Sequence, residues 1–170
     1  MDKANTYDRF KLSISYTQFY LEPEHVDPKP YFEDTRDSNQ EFSSFPLQAA
    51  IGTPNETASC EVEIELRSEM PELEDAVQAV CFPLSVNEPG KLFLRTVFEE
   101  DEQENNNFTV SPGKYDVFVR FFSMEAAPEA AEVGLRAWRV VVSFLAYGTI
   151  KPGTYRREYG EIPENVIVHD

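Results

Sequence analysis

Residues 60–67 read Cys60-Glu61-Val62-Glu63-Ile64-Glu65-Leu66-Arg67, apolar and charged in strict alternation. Side chains alternate across a strand with period two, whereas a helix repeats every 3.6 residues. On a helix this run would scatter its apolar groups around the cylinder. As a strand it turns Cys60, Val62, Ile64 and Leu66 toward a core and lays Glu61, Glu63 and Glu65 on the other face. Successive carboxylates on that face stand about 6.6–6.8 Å apart. That spacing is comparable with the separation of phosphates along one nucleic-acid strand.

The same period recurs along the chain. In residues 11–20, Leu12, Ile14 and Tyr16 fall on one side and Ser13, Ser15 and Thr17 on the other. Pro23, Pro28 and Pro30 then interrupt regular structure, and residues 22–44 read as a long surface excursion. A strand is expected over 45–51, ended by Gly52-Thr53-Pro54-Asn55. Another is expected over 76–86, where Pro83 donates no ladder hydrogen bond and so marks an edge strand or a bulge. Asn87-Glu88-Pro89-Gly90 reads as a turn, from which 91–98 pairs back as a hairpin. Phe108-Thr109-Val110 makes a short strand, and Ser111-Pro112-Gly113-Lys114 turns into a central strand at 115–124. Residues 125–135 suit a short helix or an irregular connection. Residues 137–147 form the last strong strand, with Trp138, Val140, Val142 and Phe144 on one face. The pattern predicts a mainly β protein, a single-domain antiparallel β-sandwich of about seven or eight strands with little helix. That domain takes residues 1–148. Residues 149–170 form a C-terminal extension with a possible short strand at 166–168.

With 170 residues, such a chain buries roughly 70% of its unfolded surface and needs no metal or disulfide to hold a core. Its 13 Phe and 8 Tyr exclude general disorder. Its net charge of −16 opposes direct binding to nucleic acid or to an anionic membrane, both of which are gripped through Lys and Arg. A cationic protein surface or a metal ion is the natural partner. The excess is uneven: residues 1–110 carry 8 bases and 23 acids, residues 111–170 carry 7 and 8. A one-sided surplus can steer a basic partner, although acidic surfaces also serve solubility alone. The near-apolar run at 138–147 is too short to span a bilayer, which takes about 20 residues. The opening Met1-Asp2-Lys3-Ala4-Asn5 has no apolar core, and Cys60 and Cys81 are too few for a disulfide scaffold. A cytoplasmic location is expected.

No catalytic constellation emerges, so an enzyme is not expected. His25 and His169 are remote from any recognisable nucleophile motif, and the two thiols fall in core patterns. No cofactor loop is present. Glu99, Glu100, Asp101, Glu102 and Glu104 lead into Asn105-Asn106-Asn107, but the calcium-loop spacing is missing and no metal site is expected. Tyr31 and Phe32, in the proline-rich segment, suit an interface anchor or core packing.

Three strings in order resemble the competence protein J (ComJ) family of bacterial nuclease inhibitors: Leu12-Ser13-Ile14-Ser15-Tyr16-Thr17-Gln18-Phe19, Val80-Cys81-Phe82-Pro83-Leu84-Ser85-Val86, and Pro112-Gly113-Lys114-Tyr115-Asp116. The similarity spans roughly residues 10–148. The 149–170 extension and a longer 99–107 loop depart from the family pattern. The resemblance implies an inhibitor of a basic, metal-dependent, sugar-nonspecific bacterial DNA nuclease. The charge pattern, independently of the family, offers Glu61, Glu63 and Glu65, or Glu99, Glu100, Asp101, Glu102 and Glu104, as phosphate mimics facing the nuclease. Two other classes stay open: an immunity-type protein against another basic target, and a β-sandwich carbohydrate-binding module or enzyme. Open strand edges also admit a homodimer.

Overall fold

In the computed structural model, described for residues 5–14, 18–27, 40–54, 57–96, 106–158 and 161–169, the alternating segments become two packed sheets. The strands are β1 (Asn5–Ser13), β2 (Gln18–Pro23), β3 (Phe42–Phe45), β4 (Gln48–Gly52), β5 (Thr57–Leu66), β6 (Gln78–Val86), β7 (Lys91–Arg95), β8 (Asn107–Thr109), β9 (Gly113–Met124), β10 (Arg136–Ala146) and β11 (Gly153–Arg156). One short helix, α1 (Pro128–Glu132), joins β9 to β10. One sheet has the order β1-β5-β10-β9-β6-β11, the other β3-β4-β2-β7-β8.

The apolar rows meet between the sheets as the alternation requires. Cys60, Val62 and Ile64 from β5 and Trp138, Val140, Val142 and Phe144 from β10 join Phe19, Leu21, Ile51 and Leu94 of the opposite sheet in one core. The Trp138 indole keeps its single donor satisfied by giving Nε1–H to Thr57 Oγ1 at 2.9 Å.

Several elements depart from the sequence reading. The described residues contain eleven strands: two expected strands are each divided, and β11 forms within the C-terminal extension, where the only strand expected was at 166–168. The 11–20 run is shared between the sheets, β1 ending at Ser13 and β2 starting at Gln18. The expected strand over 45–51 is broken after Phe45, and the end of the 22–44 stretch read as a surface excursion is instead the buried strand β3, which pairs with β4 as a hairpin. Residues 87–90 do not close a hairpin: β6 lies in the six-stranded sheet, while β7 pairs with β2 and β8 in the other. The turn is therefore a corner that changes sheets, passing through a cis Glu88–Pro89 bond to Gly90. Gly90 has φ +87, and a Cβ there would lie 2.1 Å from the Val110 carbonyl oxygen, so only glycine fits. Pro83 behaves as expected. β11 covers only the Ala79–Cys81 stretch of β6, and Pro83 lies beyond it, where β6 is itself the sheet edge.

Pairing is antiparallel except between β5 and β10, which run parallel. That exception shapes the surface. β10 is antiparallel to β9, and β9 to β6, so β5 and β6 point the same way with two strands between them. Parallel strands cannot be joined by a tight turn. Residues 67–77 therefore cross the outer face of the six-stranded sheet. There Leu73 packs on a second, smaller cluster of Ala79, Cys81, Phe118, Leu145 and Ile150.

Candidate protein-binding face

The outer face of the six-stranded sheet carries the row foreseen on β5. Register sets its neighbours: β1 brings Lys11 beside Glu61 and Arg9 beside Glu63, and β10 brings Arg139 beside Glu61 and Ser143 beside Glu65. Glu61 reaches Lys11 Nζ at 3.9 Å. Glu63 lies between Arg9 Nε at 3.7 Å and Arg139 Nη1 at 3.4 Å. Oε1 of Glu65 accepts from Ser143 Oγ at 2.6 Å, Arg120 Nη2 at 3.3 Å and Arg67 Nη1 at 3.4 Å. Side-chain exposure falls along the row, from 46% at Glu61 to 20% at Glu63 and 8% at Glu65. Only the Glu61 end of the ladder is half open. Glu65 belongs to the sheet.

Arginine dominates the far side of this network. Burial pulls the Arg120 guanidinium below its usual pKa; Glu65 opposes that shift, and the cations of Arg67 and Arg139 add to it. Phe122 lies under both Arg139, 4.5 Å from its ring centroid, and Arg120, at 5.4 Å. The Nε atoms of Arg67 and Arg120 are buried without a partner among the described residues.

The crossover adds a second set of carboxylates, separate from the row that the alternation marks on β5. Its path is pinned at several points. The Arg67 amide donates to Phe144 O, Arg120 Nη1 donates to Glu72 O at 3.1 Å, and Arg156 Nη1 donates to Ala76 O at 3.2 Å. Pro71 is buried and Leu73 is anchored in the small cluster. Between these anchors Glu69, Glu72, Glu74 and Asp75 are exposed, and no salt bridge among the described residues engages any of them. Met70 stands among them, 41% exposed. Four acids interleaved with Met70, Pro71 and Leu73 were visible in the sequence. Their placement on the sheet depends on the parallel β5–β10 pair, for which one strand carries no signal.

Glu99, Glu100, Asp101, Glu102, Glu104, Tyr31 and Phe32 lie outside the described residues. Among the described residues no three metal-ligating side chains cluster, and no helix is long and apolar enough to cross a membrane. Both cysteines are free and buried; burial pushes the Cys60 thiol up to about 12, and burial with nearby Asp116 pushes Cys81 up as well. His169 is stacked on Phe45 and His25 is exposed.

Fold and face together define an acidic β-sandwich whose crossover loop displays carboxylates that form no ion pair among the described residues. The chain belongs to the competence protein J (ComJ) family, whose model matches residues 11–145. Among solved structures it is similar to the crystal structure of ComJ from Bacillus subtilis, described as an inhibitor of the DNA-degrading activity of NucA. That likeness has a TM-score of 0.63 at 13% identity, covering 85% of this chain and 99% of the other. It also resembles a chain described as crocagin biosynthetic gene J, with a TM-score of 0.51 at 16% identity over 86% of this chain and 99% of that one. A search of curated protein sequences finds no match.

Proposed function

We propose that this protein inhibits a metal-dependent bacterial DNA nuclease by binding it directly, with surface carboxylates taking the place of DNA phosphates. Membership of the ComJ family carries this reading, because the solved ComJ is described as an inhibitor of a DNA-degrading activity. A nuclease that grips phosphate backbones presents Lys and Arg around its metal. A chain of net charge −16 is attracted to such a groove and associates with it quickly.

The contacts divide by availability. Glu69, Glu72, Glu74 and Asp75 offer carboxylates that need abandon no internal partner, and Met70 supplies an apolar anchor among them. Glu61 extends this surface at the cost of one exposed ion pair. Glu63 and Glu65 serve it indirectly, by holding the sheet beneath. Glu99, Glu100, Asp101, Glu102 and Glu104, with Tyr31 and Phe32, add contacts of the same acidic and aromatic kinds. The test is a titration of this protein into a DNA-degradation assay run by a metal-dependent DNA nuclease of the same bacterium. A sharp endpoint near one inhibitor per nuclease supports the reading. Undiminished degradation at roughly tenfold excess of folded protein rejects it.

A further inference from the structure

The family match stops at Leu145, and the chain beyond it does separate structural work. β11 pairs with β6, and Arg157 Nε then donates to Glu41 Oε1 at 2.7 Å. Residues 161–169 return across the seam where β6 meets β3, the edge strand of the other sheet. The sequence suggested a short strand at 166–168, but no ladder forms there. A side chain replaces it. Gln40 accepts the Ile167 amide on Oε1 at 2.9 Å and donates Nε2 to the Ile167 carbonyl at 2.9 Å. These are the two bonds a neighbouring strand would make to one residue.

The receiving side is preset. Gln40 is buried; its Nε2 also donates to Phe42 O at 2.9 Å, and its carbonyl accepts from Thr154 Oγ1 at 2.6 Å. One step along, the His169 amide donates to Ser44 O at 2.9 Å. The His169 ring stacks on Phe45 with centroids 4.3 Å apart and planes 8° from parallel. Val166 packs against the core over Gly153, where an added Cβ would meet its Cγ2 at 3.6 Å. Gln40, Ser44 and Phe45 all lie inside the family-matched range, while the segment they hold lies outside it.

We propose that the seam beside β3 is a receptor groove for an extended peptide, filled in cis by the chain's own residues 166–169. Its ligand is an extended backbone with a β-branched residue at the first position, an amide read by Gln40 at the second, and a flat ring for Phe45 at the fourth. This is strand addition to an open edge, with one position of the ladder supplied by a buried glutamine. The tail releases as a unit, without loss of the sandwich, because its backbone bonds fall on Gln40 and on β3 while Val166 is only partly buried against the core.

Two measurements on the full-length chain test this. Hydrogen exchange should show the Ile167 and His169 amides opening at least tenfold faster than the amides of β10. Simultaneous exchange of the two sets would make the tail an inseparable part of the fold and overturn the proposal. The second uses a labelled synthetic peptide of residues 161–170. In the wild type the tethered tail competes at an effective concentration of about millimolar. Ile167→Pro removes the amide that Gln40 accepts, so this variant should bind the peptide at least tenfold more tightly than the wild type. Gln40→Leu added to it should abolish binding. An Ile167→Pro chain with normal β10 protection that ignores the peptide would contradict the groove. Should that variant not fold, His169→Ala is read in the same assay against the same outcomes.

Discussion

Two acidic regions lie on one face and differ in what their charges do. Glu61, Glu63 and Glu65 sit on β5, where register brings Lys11, Arg9 and Arg139 beside them and Arg67, just past the strand, and Arg120, on β9, reach Glu65. Glu69, Glu72, Glu74 and Asp75 sit on a crossover that the sheet supports from below and leaves open above. A carboxylate inside an ion-pair network has much of its field cancelled and must break bonds to meet a partner. A carboxylate raised on a loop keeps its field. Equal formal charge thus yields one row neutralised within the sheet and one row open to solvent. The ordered spacing that marked the first row in sequence is the reason it is neutralised, because a strand with regular charges attracts regular countercharges from its neighbours.

The comparison breaks most clearly at Glu65. Glu65→Gln leaves Arg67 and Arg120 without a counterion in a buried site, and should lower unfolding stability by about 3 kcal/mol. Urea denaturation measures this, while the inhibition endpoint of the folded variant stays where it was. A large loss of inhibition with little loss of stability would give Glu65 a direct part in the proposed interface. Next in size is reversal of the crossover, with Glu69, Glu72, Glu74 and Asp75 all changed to Lys. Association with the nuclease at low salt should slow by about tenfold or more, and each exposed site should alter stability by no more than about 0.5 kcal/mol.

The inner face of β5 gives a control with a defined pH sign. Burial raises the Cys60 thiol to about 12, while in the unfolded chain it ionises near its ordinary value of about 8.5. The protonated thiol is favoured in the fold, so its contribution is complete below about pH 8.5 and is lost as pH rises toward about 12. Urea midpoints should therefore fall more steeply between about pH 8.5 and 10.5 in the wild type than in Cys60→Val. Parallel profiles would show that this thiol is not coupled to folding. The smallest effect belongs to Glu61→Gln. Its exposed pair with Lys11 should be worth under about 1 kcal/mol and should vanish in high salt.

Much of this was legible in the sequence. Alternation placed Cys60, Val62, Ile64, Trp138, Val140, Val142 and Phe144 in the core, and Glu61, Glu63 and Glu65 opposite, because inward and outward facing is a local property of a strand. Which strands neighbour one another is not local. The parallel β5–β10 pair, the passage from β6 to β7 between sheets and the division of the 11–20 run each depend on contacts distant in sequence. Of the bases that neutralise the β5 row, Arg67 stands in the same run, but those at 9, 11, 120 and 139 lie beyond any window around the glutamates. Gln40 was equally hidden, since its meaning depends on a tail residue 127 positions away.

The most direct test of the central claim is the association rate of the nuclease with the wild type and with the crossover-reversed variant, at low ionic strength and at about 0.5 M salt, where screening reaches only about 4 Å. The account predicts fast wild-type association at low salt that slows steeply in high salt, and a variant that is slow in both. Equal rates for the two proteins, or a wild-type rate indifferent to salt, would contradict it.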